Sequence, residues 1–196
     1  MGRTETASAE LENPARVLVF LTAATGLRVS EALGLKWSDV DFSAGQILLS
    51  RAVVRQHEGR MKTEASLKPV PMAGALLDAL RAWSRQAPYR QPGDWVFASP
   101  DMDGKQPYWP ETMLKCYVHP AAKRIGITKV LGWHSFRRAF ATLLRGGAED
   151  LKTVQELMRH ANSRLTLDMY AQALTPAKRA AHLKLVEFSA VPLKVE

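Results

Sequence analysis

Apolar residues recur at helical spacing along most of this chain and shift to a strand-like pattern over one stretch. Asn13-Pro14 is a helix start, a capping side chain followed by proline at the first helical position. Val17, Leu18, Phe20 and Leu21 continue it as an apolar stripe, and Gly26 is a suitable stop. Ser30 is read as the cap of a second, short helix whose Ala32, Leu33 and Leu35 pack inward. Trp37-Ser38-Asp39-Val40-Asp41 is read as a turn.

From Gln46 the period changes. Residues 47–54 are rich in β-branched and apolar side chains and predict a strand. His57-Glu58-Gly59-Arg60 is read as a polar turn, Met61 to Thr63 as a second strand and Lys68 to Met72 as a third. The prolines at 69 and 71 place that third strand at an edge. Helical spacing then returns. Leu76, Leu77, Leu80 and Trp83 share one face, Trp95-Val96-Phe97 is a short buried segment, and Met113, Leu114, Tyr117 and Val118 mark a helix from Glu111 to Ile125. Three more helices are predicted near 134–146, 150–159 and 163–172, and a last from Pro176 to about Phe188. A small sheet inserted between helices gives an α+β fold, mainly α-helical, with a small three-stranded antiparallel sheet. Residues 1–12 are polar and acidic and are read as a disordered leader, unlike a secretory signal, which leaves a cytoplasmic protein as the expectation.

Charge changes the picture. The net charge is +8, which points to phosphate polymers as partners. The bland alternative is a basic surface that maintains solubility. Cys116 is the single cysteine, so an internal disulfide is excluded; its apolar-periodic position predicts a small buried side chain. The histidines at 57, 119, 134, 160 and 182 form no His-x-x-x-His or His-Glu-x-x-His pair, so a metal centre is not expected.

The chemistry concentrates between Gly132 and Tyr170. His134 and Arg137 are three apart and share a helical face, as donors aimed at an anion would. Tyr170 is a residue able to form a stable ester with phosphate. Each candidate has a plain structural reading beside the functional one. Arg28 either pairs with Glu31 on the surface or holds a phosphate at a helix entrance. Lys62 is either a solvated hairpin charge or a proton donor reaching over a bound strand. His160 either complements a helix dipole or supplies a donor, and Tyr170 is either an amphipathic core residue or a nucleophile.

Taken together and in order, these residues resemble the catalytic domain of the tyrosine recombinases, the phage-integrase family. Thr-Gly-Leu-Arg28-Val-Ser-Glu31-Ala-Leu is similar to the family's first arginine box, and Lys62-Thr63, upstream of Val70-Pro71, to its hairpin lysine. Lys68 competes for that role but lies beside the Val-Pro segment, where the family has an ordinary basic residue. His134-Ser-Phe-Arg137, trailing into Ala141-Thr142, is similar to the His-x-x-Arg box, and Leu157-Met-Arg-His160 followed by Thr166-Leu-Asp-Met-Tyr170 to the terminal box. Arg159 stands where the family commonly has glycine, and Arg138 where it often has histidine.

The resemblance implies a DNA breaking-rejoining fold over residues 13–196, with the family's N-terminal core-binding domain absent. It implies a metal- and cofactor-free reaction on double-stranded DNA for site-specific recombination or integration. Tyr170 would attack the phosphate, Arg28 and Arg137 would stabilise it with His160 adding a donor, His134 would assist the tyrosine proton or hold phosphate, and Lys62 would protonate the leaving oxygen. It implies a homo-tetramer on DNA through the C-terminal helix and so a nucleoid-associated location; that no apolar run is long enough to span a bilayer leaves no membrane attachment and a cytoplasmic protein as the expectation. Two alternatives stay open: a truncated member that only binds DNA or a partner, and relaxation of DNA in the manner of a type IB topoisomerase.

Overall fold

The computed structural model describes residues 13–61, 68–72, 74–146 and 151–159. The α+β, mainly helical reading holds. Helix α1 (Asn13–Thr25) is the hub: Val17, Leu18 and Leu21 are fully buried, and the helix packs against α2 (Val29–Leu33), α3 (Ala75–Gln86) and α6 (Trp133–Gly146). Gly26 ends it at φ +65°, a conformation that glycine adopts without steric cost. A Cβ there would also lie 2.4 Å from the Phe140 ring, so glycine is required twice over.

Helix α2 starts differently from the sequence expectation. Its cap is Arg28 rather than Ser30, which lies inside the helix. The Arg28 backbone N–H donates to Glu31 Oε2 at 2.8 Å, so the carboxylate three residues on satisfies the helix entrance.

The strands are divided between two small sheets rather than gathered in one. Strands β1 (Val40–Asp41), β2 (Gln46–Ile47) and β5 (Val70–Pro71) form an antiparallel sheet in the order β1-β2-β5. Val40 faces Ile47, and Ile47 faces Val70. The strand with Pro71 is at an edge, as its prolines require. Strands β3 (Arg51–Val54) and β4 (His57–Arg60) form a separate hairpin. Its turn is Arg55-Gln56, both at positive φ (50° and 63°), as a two-residue type I′ turn demands. Residues 57–60 are therefore a strand, not the turn that their polarity suggested.

Between the sheets and α6 lie α4 (Pro110–Thr112), a π-helical segment Met113–Val118 and α5 (His119–Arg124). The expected helix over Glu111 to Ile125 is present, but its wider π turn rotates the side chains away from the 3.6-residue period. Cys116 is exposed in consequence, contrary to expectation. Helix α7 (Leu151–Leu157) packs on α6 through a small cluster of Ala141, Val154 and Met158, with Phe140 and Leu144 at its margin. The helices expected at 163–172 and after Pro176 lie outside the described residues. Among the described residues no helix is long and apolar enough to cross a membrane.

Candidate active site

Arg137 defines the site. Helix α6 is fixed at its start by Trp133, whose indole N–H donates to the Pro110 carbonyl at 2.9 Å, and by the Gly132 N–H donating to Ser135 Oγ at 3.1 Å. One turn in, the Arg137 side chain enters the protein, only 5% exposed. Its Nη2 donates to the Met158 carbonyl at 2.6 Å and its Nη1 to the Gly26 carbonyl. One guanidinium thus bridges the end of α1 and the turn after α7, segments far apart in sequence.

The Gly26 segment leads directly to Arg28, whose side chain is half exposed (41%) and whose Nη1 lies 3.0 Å from Glu31 Oε1. The surface pairing anticipated for Arg28 is correct in partner but not in setting, because Glu31 is buried. The Met158 segment leads to Arg159, which donates from Nη2 to Glu31 Oε2 at 2.7 Å. Both members of this second pair are nearly inaccessible, at 5% and 4% exposure. Glu31 therefore carries two guanidiniums, one open to solvent and one buried.

The electrostatics follow from this crowding. Burial first, and then the charge of Arg28, pull the Arg137 pKa down to about 10, with Glu31 opposing and Arg159 adding to the depression. Arg159 is also lowered, chiefly by burial, against the pull of Glu31. Three cations surround one carboxylate, and the guanidinium Nε and Nη1 of Arg159 find no hydrogen-bond partner among the described residues. Such an excess of buried positive charge is suited to an arriving anion.

Beside Arg28 a cleft of about 450 Å³ opens between α2 and the β3–β4 hairpin, lined by Ser30, Ala52, Val54, His57 and Arg60 among others. The hairpin is anchored at its base. Arg51 pairs with buried Asp39, reaches Glu58 with Nε at 3.3 Å, and donates to the Gly34 carbonyl. Lys36 approaches Glu58 at 3.9 Å while its ammonium lies 4.6 Å over the Trp95 ring.

Of the six sequence candidates, Arg28 and Arg137 are brought into one cluster. His134 stands one helical turn before Arg137 on α6 and is exposed where Arg137 is buried. Arg138 is exposed, on a side of α6 away from the buried Arg137. Lys62, His160 and Tyr170 lie outside the described residues, although His160 is the residue after Arg159. Arg159 itself was visible in the sequence only as an arginine in place of glycine. Its positive φ of 51° accounts for the glycine preference; its pairing with Glu31 could not be read from residues 128 positions apart.

The phage integrase family profile matches residues 3–176. A tyrosine recombinase XerC-like protein of Caldanaerobacter subterraneus subsp. tengcongensis is 27% identical over 188 residues, covering 85% of this chain and 47% of its own. The tyrosine recombinase XerD of Mycobacterium leprae is 32% identical over 181 residues, covering 85% of this chain and 52% of its own. The chain thus spans about half the length of these curated relatives. Among solved structures, the XerA recombinase matches with a TM-score of 0.68 at 23% identity, over 92% of this chain and 59% of that one. The XerH site-specific recombinase bound to palindromic difH substrate in a post-cleavage complex matches with a TM-score of 0.62 at 24% identity, over 92% and 50%. At these identities the structural likeness is one of fold.

Proposed function

The chain belongs to the phage integrase family, and on that footing we propose that it breaks and rejoins DNA strands at specific sites through a covalent phosphotyrosyl intermediate, without a metal ion. Residues 13–196 are read as the catalytic domain. The observation that carries this reading is the Arg137 bridge, which gathers Arg28 and the turn entering His160 around one cationic locus.

In the proposed reaction the phenolic oxygen of Tyr170 attacks the scissile phosphorus and the bond to the 5′-oxygen breaks. The products are a 3′-phosphotyrosyl ester and a free 5′-hydroxyl. The tyrosine proton passes toward His134, whose exposure on the first turn of α6 makes it accessible to a bound strand. Lys62 supplies a proton to the departing oxygen. The ester retains the energy of the broken bond, so a 5′-hydroxyl from another strand reverses the step and exchange replaces hydrolysis. Negative charge accumulates on the non-bridging oxygens in the transition state. Arg28 and Arg137 stabilise it through their guanidinium forks, with His160 adding a donor, in the role that magnesium fills at many phosphoryl-transfer sites.

Double-stranded DNA is the partner on this reading, and the active assembly is a homo-tetramer joined through the C-terminal helix. The test is a nicked suicide duplex incubated with the protein in excess EDTA. The expected result is a covalent protein–DNA band for the wild type and none for Tyr170→Phe, with DNA binding retained by both. A band that survives Tyr170→Phe, or that needs a divalent metal, contradicts the proposal.

A further inference from the structure

Arg159 is costly where it stands. Its φ of 51° lies in the left-handed region that side-chain-bearing residues rarely adopt. Its guanidinium is desolvated, and of its nitrogens Nε and Nη1 find no partner among the described residues. A buried charge with an unfilled fork is a poor way to stabilise a fold. What the residue does achieve among the described residues is a short contact, Nη2 to Glu31 Oε2 at 2.7 Å.

That contact matters because Glu31 has a competing partner. Its Oε1 takes Arg28 Nη1 at 3.0 Å, and its Oε2 takes the Arg28 backbone N–H at 2.8 Å. Without Arg159, turning the Arg28 side chain onto a phosphate would leave a carboxylate that is 4% exposed with no direct ion-pair partner among the described residues, which is disfavoured. With Arg159 in place, Glu31 keeps a buried counter-charge and a backbone donor after Arg28 leaves. We propose that Arg159 is a positioning residue that neutralises Glu31 and so frees the half-exposed Arg28 guanidinium to engage the scissile phosphate. Glycine in that position would offer no charge. This role rests on the strand-transfer reading given above.

The experiment compares the wild type, Arg159→Met, Glu31→Gln, the double variant and Arg159→Lys. Single-turnover cleavage of a suicide duplex, DNA affinity and the thermal midpoint are measured for each. With Glu31 intact, Arg159→Met is expected to slow cleavage by about thirtyfold with little change in affinity, and in the Glu31→Gln background by no more than about threefold. Arg159→Lys, which keeps the charge, recovers most of the rate that Arg159→Met loses. Unchanged cleavage in Arg159→Met, an equal loss in both backgrounds, or no recovery with lysine overturns the proposal. Should Arg159→Met fail to fold, the double variant must fold; if it does not, the coupling is refuted. If the wild type itself forms no adduct, the strand-transfer reading falls, and the thermal midpoints then decide. The Met substitution must lower the midpoint more with Glu31 intact than in the Glu31→Gln background, and equal falls overturn the role assigned to Arg159.

Discussion

Arg137 serves two demands that conflict. As a structural side chain it satisfies the carbonyls of Gly26 and Met158, which other groups would otherwise have to fill. As a cation it is buried beside two further guanidiniums, and its pKa is held near 10 instead of at the ordinary guanidinium value. Because the folded pKa lies below the unfolded one, keeping the group charged costs stability at neutral pH, and the cost declines as pH rises through 10. A phosphate anion offsets the same cost by favouring the charged form. Lysine at this position keeps the charge but loses the fork. Arg137→Lys is therefore expected to leave one buried carbonyl unpaired and to lower stability by about 1–3 kcal/mol in denaturant unfolding. Its single-turnover cleavage is expected to fall by roughly a hundredfold or more, the usual consequence of losing an oriented donor to a developing oxyanion. Stability and cleavage both near wild type would show that the fork is dispensable. Arg28 and Arg137 were legible as residues because each sits in a short local pattern. The Arg159–Glu31 pair was not, because its members meet only after folding.

Among the elements, the β3–β4 hairpin has the most at stake. Strand β4 is exposed along its whole length, so little apolar burial holds the hairpin in place. Its fixed point is Arg51, tied to Asp39, Glu58 and the Gly34 carbonyl. Arg51→Met leaves Asp39 buried and without a cation. The expected loss is about 3 kcal/mol, with faster amide hydrogen exchange across residues 51–60 than in the helices. Unchanged exchange in the hairpin would contradict the anchoring role. This region also shows where sequence reading reached its limit. Gly59 in a polar run imitates a turn, whereas the true turn, Arg55-Gln56, adopts positive φ without glycine, asparagine or aspartate to announce it. The stretch 47–54 divides between two sheets: the Leu48 N–H bonds to the Asp39 carbonyl and continues the β1–β2 pairing, whereas Arg51 to Val54 pair with β4. The end of α1 was clearer: Gly26 marks it by its own conformational preference, whereas the start expected at Asn13-Pro14 falls at the edge of the described residues. The π turn at Met113–Val118 has no such marker, and it misled the apolar period into burying Cys116.

For the molecule as a whole, the net charge of +8 and the cationic cluster point to affinity carried by phosphates. Each neutralised phosphate contributes a slope of roughly −0.9 in the logarithm of affinity against the logarithm of salt. Binding of duplex DNA is therefore expected to weaken by about tenfold or more between 50 and 200 mM salt in a titration followed by fluorescence anisotropy. Affinity indifferent to salt would mean that contacts other than phosphates dominate. The core on α1 explains how distant segments are held in register: α6 and α3 pack on it, and α7 is fastened to α6. Arg137 and Arg159 then fasten the turn after α7 to the Arg28 segment, immediately before His160. The decisive measurement is peptide mapping by mass spectrometry of the adduct trapped on a suicide duplex. Nucleotide mass is expected on the peptide that contains Tyr170, joined through a 3′-phosphate. Nucleotide mass on any other residue, or no adduct under conditions where the duplex is bound, would contradict the account.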